Sequence, residues 1–231
     1  MLDMMHMIQS TQGYGLRKGV KLAVYGLAGM GKTTLCATCP NPLVISAESG
    51  LLSLARYNLP YIEVKTVQQL RDIYNWLRSS NEPRQNFQTI CVDSASEIAE
   101  TVLADARKRN KDGRAAYGDL IDQMTAVIKE FRDLEGYHVY MSFKQERIKD
   151  ETTGALVNQP MMPGAKLGQA VPYLPDELFK MDVEGFGAQS YRVLRTQPDM
   201  LNMAKDRSGV LDPIEEPHLG KIIAKITNMA T

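Results

Sequence analysis

Gly26-Leu27-Ala28-Gly29-Met30-Gly31-Lys32-Thr33 spells G-x-x-x-x-G-K-[ST], and every residue type in it suits the holding of a phosphate chain. Glycines let the backbone curl until successive N–H groups face one anion, a concavity that side chains would fill. The helix expected to open near Lys32 turns its positive end toward the same anion. The Lys32 ammonium reaches β- and γ-phosphates, the Thr33 hydroxyl ligates Mg²⁺, and Thr34 can touch the α-phosphate. The cradle is therefore expected from Gly26, Ala28, Gly29, Met30, Gly31, Lys32, Thr33 and Thr34, with ATP and Mg²⁺ as its ligands. A Gly-rich turn that binds nothing is the bland alternative. Against it, the motif falls between an apolar strand, KLAVYG (21–26), and a helical GKTTLCATCP (31–40).

Two acids could complete the chemistry. TICVD (89–93) is an apolar strand ending in Asp93, the Walker B pattern, and a carboxylate there can hold the metal through water. Asp93 or Ser94 could instead cap the next helix, and the two roles are compatible. LVISAESG (43–50) is a second core strand, and it stops at Glu48. If its strand lies beside the others, Glu48 shares their carboxyl rim and can orient and partly deprotonate an attacking water. Otherwise it is a solvated loop acid.

The elements that must position these groups alternate between strand and helix. Further strands are expected at YIEV (61–64), HVYMS (138–142) and YRVLRT (191–196). Helices are expected at VQQLRDIYNWLRSS (67–80), SEIAETVLADARKR (96–109) and about Asp119 to Leu134. That order implies an α/β fold with a mostly parallel, doubly wound sheet flanked by helices. The stretch after Ser142 is rich in Gly, Pro and polar residues and reads as a long loop, either functional or disordered. One domain over 21–231, preceded by an N-terminal extension (1–20), is the expected organisation. The 231 residues carry 27 Lys plus Arg and 27 Asp plus Glu, a formal net charge of zero. A nucleic-acid partner would then need a local basic patch. MLDMMHMIQS lacks the basic and apolar regions of a signal peptide, and no apolar run approaches membrane length. With only three cysteines, a soluble protein of the reducing cytoplasm is expected. Cys36 and Cys39 have C-x-x-C spacing without a second pair and read as packing residues rather than metal ligands. His6, His138 and His218 form no constellation, and the methionines at Met1, Met4, Met5, Met7, Met161 and Met162 read as adaptable apolar contacts.

The order YGLAGMGKTT, VISAESGLLSL, ICVDSASEI, AYGDLI, HVYMSFKQE resembles RecA-like P-loop ATPases, most closely the short phage annealing recombinases of the Sak-four type. The resemblance covers roughly residues 20–210. It implies a RecA-like P-loop NTPase core with Glu48 as catalytic glutamate and Lys32 in the reaction. It implies two DNA loops, the first at 107–116 with Arg107, Lys108, Arg109, Lys111 and Arg114. The second, at 144–170, carries Arg147 and Lys149, with Lys144 or Gln145 sensing the γ-phosphate. Lys205 and Arg207 in KDRSG are similar to residues that such motors insert into a neighbour's site. The partners so implied are single-stranded DNA, a single-strand-binding protein and further copies of the chain in a ring or filament, with no membrane. The basic run could equally be a solvated helix end, and KDRSG a surface turn. A nucleotide-binding loader or regulator acting on proteins, or a small-molecule kinase, would share the same P-loop.

Overall fold

The structure, a computed structural model, describes residues 8, 10–48, 50–149 and 154–228. His6, the methionines at Met1, Met4, Met5 and Met7, and residues 150–153 of the expected second DNA loop lie outside the described residues.

In chain order the first elements are α1 (Tyr14–Lys18), β1 (Lys21–Gly26), α2 (Lys32–Leu35), β2 (Pro42–Ser46) and β3 (Tyr61–Glu63). Next come α3 (Val67–Ser79), α4 (Glu82–Asn86), β4 (Thr89–Asp93), α5 (Ala95–Arg109) and α6 (Gly113–Arg132). The remainder is β5 (His138–Lys149), β6 (Leu156–Pro160), α7 (Ala165–Ala170), β7 (Glu177–Glu184), β8 (Tyr191–Arg195), β9 (Lys205–Asp206), β10 (Ile214–Glu215) and α8 (Leu219–Asn228). Among the described residues one sheet runs β10-β8-β7-β1-β5-β4-β2-β3, with β6 on β5 and β9 on β7. The strands from β7 to β3 are parallel, and the antiparallel pairs lie on the outer flank and in the β5–β6 hairpin.

Strand β1 is buried along its whole length. Ala23 and Tyr25 join the core beneath α3, α5 and α6, while Leu22 and Val24 join a second core with Leu35, Ile222 and Ile223. Successive side chains alternate faces, so a strand covered on both faces must read as an unbroken apolar run. Lys21 is the exception. Its Nζ donates to the carbonyls of Lys18, Leu134 and Tyr137 at 2.7, 2.7 and 2.6 Å, and burial lowers its pKa to about 8.

Caps explain the helix starts. Thr66 and Gln69 form a reciprocal capping box on α3. Ser94 caps α5 by accepting from the Glu97 N–H at 3.3 Å, and Asp112 caps α6 by accepting from Arg114 N at 2.9 Å.

Four sequence expectations are corrected. The helix expected over 31–40 is only four residues of α-helix followed by a 3-10 turn to Thr38. Thr38 Oγ1 and Cys39 Sγ both turn back to the Leu35 carbonyl and close it off. The helix expected from Asp119 begins at Gly113 because Asp112 caps it, so the expected loop 107–116 is a tight corner between two helices. The expected long loop after Ser142 is largely ordered as the end of β5, β6 and α7. Finally, β7 is a buried strand that sequence periodicity missed, because Glu177, Lys180 and Asp182 interrupt its apolar residues.

Glu177 is 1% exposed. Burial, reinforced by Asp206, raises its pKa to about 8. Folding therefore favours the protonated acid. That stabilisation is complete below the ordinary glutamate value of 4.5 and disappears as pH rises through about 8. Between pH 5 and 8 the wild type should lose roughly a few kcal/mol relative to Glu177→Gln, which cannot ionise. Urea midpoints for both proteins at the two pH values measure this, and parallel pH dependences would refute it.

Candidate nucleotide site

At the carboxyl rim of the parallel strands a cavity of about 580 Å³ is lined by the phosphate loop, Glu48, Asp93, Ser94, Lys144, Gln145 and Arg192. The loop glycines have the conformation the motif requires. Gly29 and Gly31 lie at φ 75° and 101°, where a side chain is strained. A Cβ on Gly29 would meet nothing within 4 Å, so the loop is curled around open space. Lys32 Nζ donates to the Gly26 and Leu27 carbonyls at 2.9 and 2.8 Å. Burial lowers its pKa, opposed by the nearby charges of Asp93 and Glu48. Tyr140 Oη, wholly buried on β5, donates to the Lys32 carbonyl at 2.8 Å and anchors the start of α2 from below. Because α2 is a single turn, the positive end of a long helix contributes less than the motif suggested, and the loop amides with Lys32 carry the site.

Strand order brings the two acids together. β2 and β4 are neighbours with Ser46 opposite Asp93, so Glu48, two residues past Ser46, stands at the same rim. The Ser94 hydroxyl donates to Glu48 Oε1 at 2.6 Å while accepting from the Glu97 N–H. One serine thus caps the helix and orients the acid. The capping role weighed for Asp93 belongs to Ser94. Asp93 is 4% exposed and accepts a hydrogen bond from Ser142 Oγ on β5. Glu48, Asp93 and Lys32 therefore face one cavity, as the strand endings implied.

The donor set fits a nucleoside triphosphate with its Mg²⁺: open loop glycines, a lysine, the Thr33 hydroxyl and a buried carboxylate line one space. When bound, the ion supplies positive charge shared between the phosphates. Thr33 and Asp93 would hold it, Lys32 would balance phosphate charge, and Glu48 would accept a proton from water. No group of three or more His, Cys, Asp or Glu able to hold a metal by themselves occurs among the described residues.

Other expected residues are placed differently. Thr34 and Ala28 line the cavity, but Met30 does not; its side chain packs on the core that contains Leu35. The Lys144 ammonium is taken by Glu97 and Glu100 at 2.7 and 2.8 Å. Burial opposes its charge, yet these two hydrogen bonds prevail and its pKa is raised. Gln145 Nε2 donates to Asn158 Oδ1 at 3.0 Å, and its Oε1 is buried without a partner. Lys205 Nζ donates to the carbonyls of Pro172 and Pro175, and Arg207 pairs with Asp176 at 3.0 Å. Both lie beside the first residues of β7, at the sheet edge away from the cavity, so neither reaches the site of its own chain.

In the basic corner, Lys108 pairs with Asp105 and Arg109 with Asp119, both at 3.0 Å. Arg107 stacks over Tyr117, while Lys111 and Arg114 are exposed. Arg147 and Lys149 are exposed on the outer half of β5. Cys36, Cys39 and Cys91 are buried free thiols in one core. Sequence reasoning missed Ser142 and Arg192. Only tertiary pairing brings their strands to the loop, although the serine closing HVYMS at a strand end was a usable signal.

Fold and cavity together define a P-loop ATPase on a mostly parallel α/β sheet, the architecture expected of a RecA-like core. The family described as an AAA domain matches residues 18–208, and the chain belongs to that family. No curated protein matches the chain. Among solved structures it is similar to the flagellar accessory protein FlaH from Methanocaldococcus jannaschii, at 14% identity over 90% of this chain and 91% of that one, with a TM-score of 0.49. It is also similar to a KaiC-like protein from Pyrococcus horikoshii OT3, at 14% identity over 81% and 86%, with a TM-score of 0.44. Among the described residues no helix is long and apolar enough to cross a membrane.

Proposed function

We propose that this ATPase is a single-stranded-DNA-binding recombinase of the phage annealing type. It would hydrolyse Mg²⁺-bound ATP in the cytoplasm of the host cell, as a ring or filament of identical subunits, alongside a single-strand-binding protein. The observation that carries the reading is the course of β5. Between β1 and β4 its residues Lys144 and Gln145 line the nucleotide cavity, and the same strand continues outward to the exposed Arg147 and Lys149. Gln145 is tied to Asn158 on the returning strand, a direct link from the cavity to the hairpin through which nucleotide state would be transmitted. The basic corner adjoins it. Tyr117, under the Arg107 guanidinium, lies so close to Gly164 that a Cβ there would be 3.3 Å from its ring. Basic residues distant in sequence thus stand on the hairpin and beside the loop that follows it, where a DNA patch on a chain of zero net charge would draw on both. Lys205 and Arg207, turned away from their own cavity, would act only on a neighbour's.

The test is affinity for poly-dT with and without ATP across a salt series. Binding strengthened by ATP, with log K falling linearly in log salt, is expected. Absence of binding at low salt would sink the reading. Replacing Arg107, Lys108 and Arg109 by Ala should weaken binding and reduce the salt slope by up to about two, roughly 0.7 for each single-strand phosphate no longer neutralised. An unchanged slope would move the DNA elsewhere. The ion pairs that already occupy Lys108, Arg109 and Lys144 favour one second reading, a loader acting on protein partners. Its mark would be an ATPase stimulated by protein and indifferent to DNA.

A further inference from the structure

Arg192 was not expected at the site, and it enters from the opposite flank to the acids. Strand alternation explains its reach. On β8, Leu194 faces the core that contains Leu35 and Met181, and Arg192 lies two residues farther along the same face, opposite Val183. There the apolar core has ended, and the side chain turns over the phosphate loop. Its Nη2 lies 3.4 Å from the Gly29 carbonyl, and a Cβ on Gly31 would be 3.5 Å from its Nε. It lines the same cavity as Lys32 and Thr33.

Its neighbours are already satisfied. Arg195 pairs with Asp182 and Glu184 at 3.2 and 3.0 Å, and Tyr191 Oη also donates to Glu184. Arg192 is exposed and forms no ion pair among the described residues. A guanidinium left without a carboxylate, beside loop amides curled for an anion, is matched by phosphate oxygens.

The flank decides which phosphates. Asp93 and Glu48 close β4 and β2, on the β5 side of β1, whereas Arg192 stands beyond β7 on the other side. The metal-binding γ end belongs with the acids, so the α and β end of the chain faces Arg192. We propose that Arg192 is a nucleotide-binding residue that grips the α- and β-phosphates of the ATP held by its own subunit. The inference rests on the nucleotide reading of the cavity and is independent of the DNA reading.

Isothermal titration of wild type, Arg192→Ala and Arg192→Lys with Mg²⁺-ADP and Mg²⁺-ATP tests it. The alanine variant should bind both nucleotides about tenfold or more weakly, by similar factors, as expected when a charge-assisted hydrogen bond is removed. Lysine should recover part of the affinity. Across an ATP titration of the ATPase rate the defect should appear in KM far more than in kcat. The ligand-free variant should melt as wild type does while its nucleotide-induced rise in Tm shrinks. ADP affinity unchanged in Arg192→Ala overturns the proposal, as does a weakening confined to ATP, which would put the guanidinium on the γ-phosphate. Wild type that binds neither nucleotide would instead refute the cradle itself.

Discussion

Glu48→Gln should lower ATP turnover by a factor on the order of 10² to 10⁴, the range for a lost general base, while ATP still binds. Glutamine keeps the length of the side chain and an oxygen that can accept the Ser94 hydroxyl, now 2.6 Å from Glu48 Oε1. Only the capacity to take a proton is removed. The half-buried side chain is not part of the packed core, so stability should change little. The Ser94 bond also explains why this acid is usable. It occupies one carboxylate oxygen and limits the rotamers, leaving the other oxygen for water. Ser94→Ala should lower kcat less than Glu48→Gln does, because the base survives while its aim loosens. Steady-state phosphate release together with a direct ATP-binding titration gives both quantities. Turnover within twofold of wild type in Glu48→Gln would return Glu48 to the solvent and leave the site able to hold nucleotide only.

Lys32→Ala should all but remove nucleotide binding, with affinity falling about 10²-fold or more. Two charge-assisted hydrogen bonds to phosphate, each worth about 1.5–3 kcal/mol, together account for at least that factor. Burial already weakens the hold of Lys32 on its proton, with Asp93 and Glu48 opposing that effect. Those same two carboxylates would remain without their nearby cation in the alanine variant and would repel the incoming phosphates, so the affinity falls further than two absent hydrogen bonds require. The variant also loses the Lys32 bonds to the Gly26 and Leu27 carbonyls, but Gly29, Gly31 and Tyr140 beneath the Lys32 carbonyl should keep the loop curled. Near-native ATP affinity in Lys32→Ala would overturn the assignment of this loop as a phosphate cradle.

Local patterning made much of the site readable in advance. Strand β1, the glycine spacing, Lys32 and Thr33 follow one another within a few residues, and the physics that joins them acts over that same distance. The β4 strand was legible to the residue, because burial on both faces demands an unbroken apolar run ended by Asp93. Helix α3 was legible from its 3.6-residue period. The failures were equally specific. The resemblance implied a loop at 107–116, yet Arg107 to Arg109 close α5 and the Asp112 side chain starts α6. Strand β7 hid behind Glu177, Lys180 and Asp182, and the burial of Glu177 is met by a partner far along the chain, the Ser208 N–H.

Residue order alone settles that a phosphate loop, an aspartate ending a buried strand and a glutamate just past another exist. Packing in three dimensions settles that β2 lies beside β4, which brings Glu48 to Ser94. It captures Lys144 between two glutamates, turns Lys205 and Arg207 away from their own cavity, and swings Arg192 over Gly31. The division has one physical cause. Glycine conformation, alternation and capping are interactions between near neighbours in the chain and are written there directly. Strand order and ion pairing join residues dozens of positions apart and are chosen by the free energy of the whole packed domain.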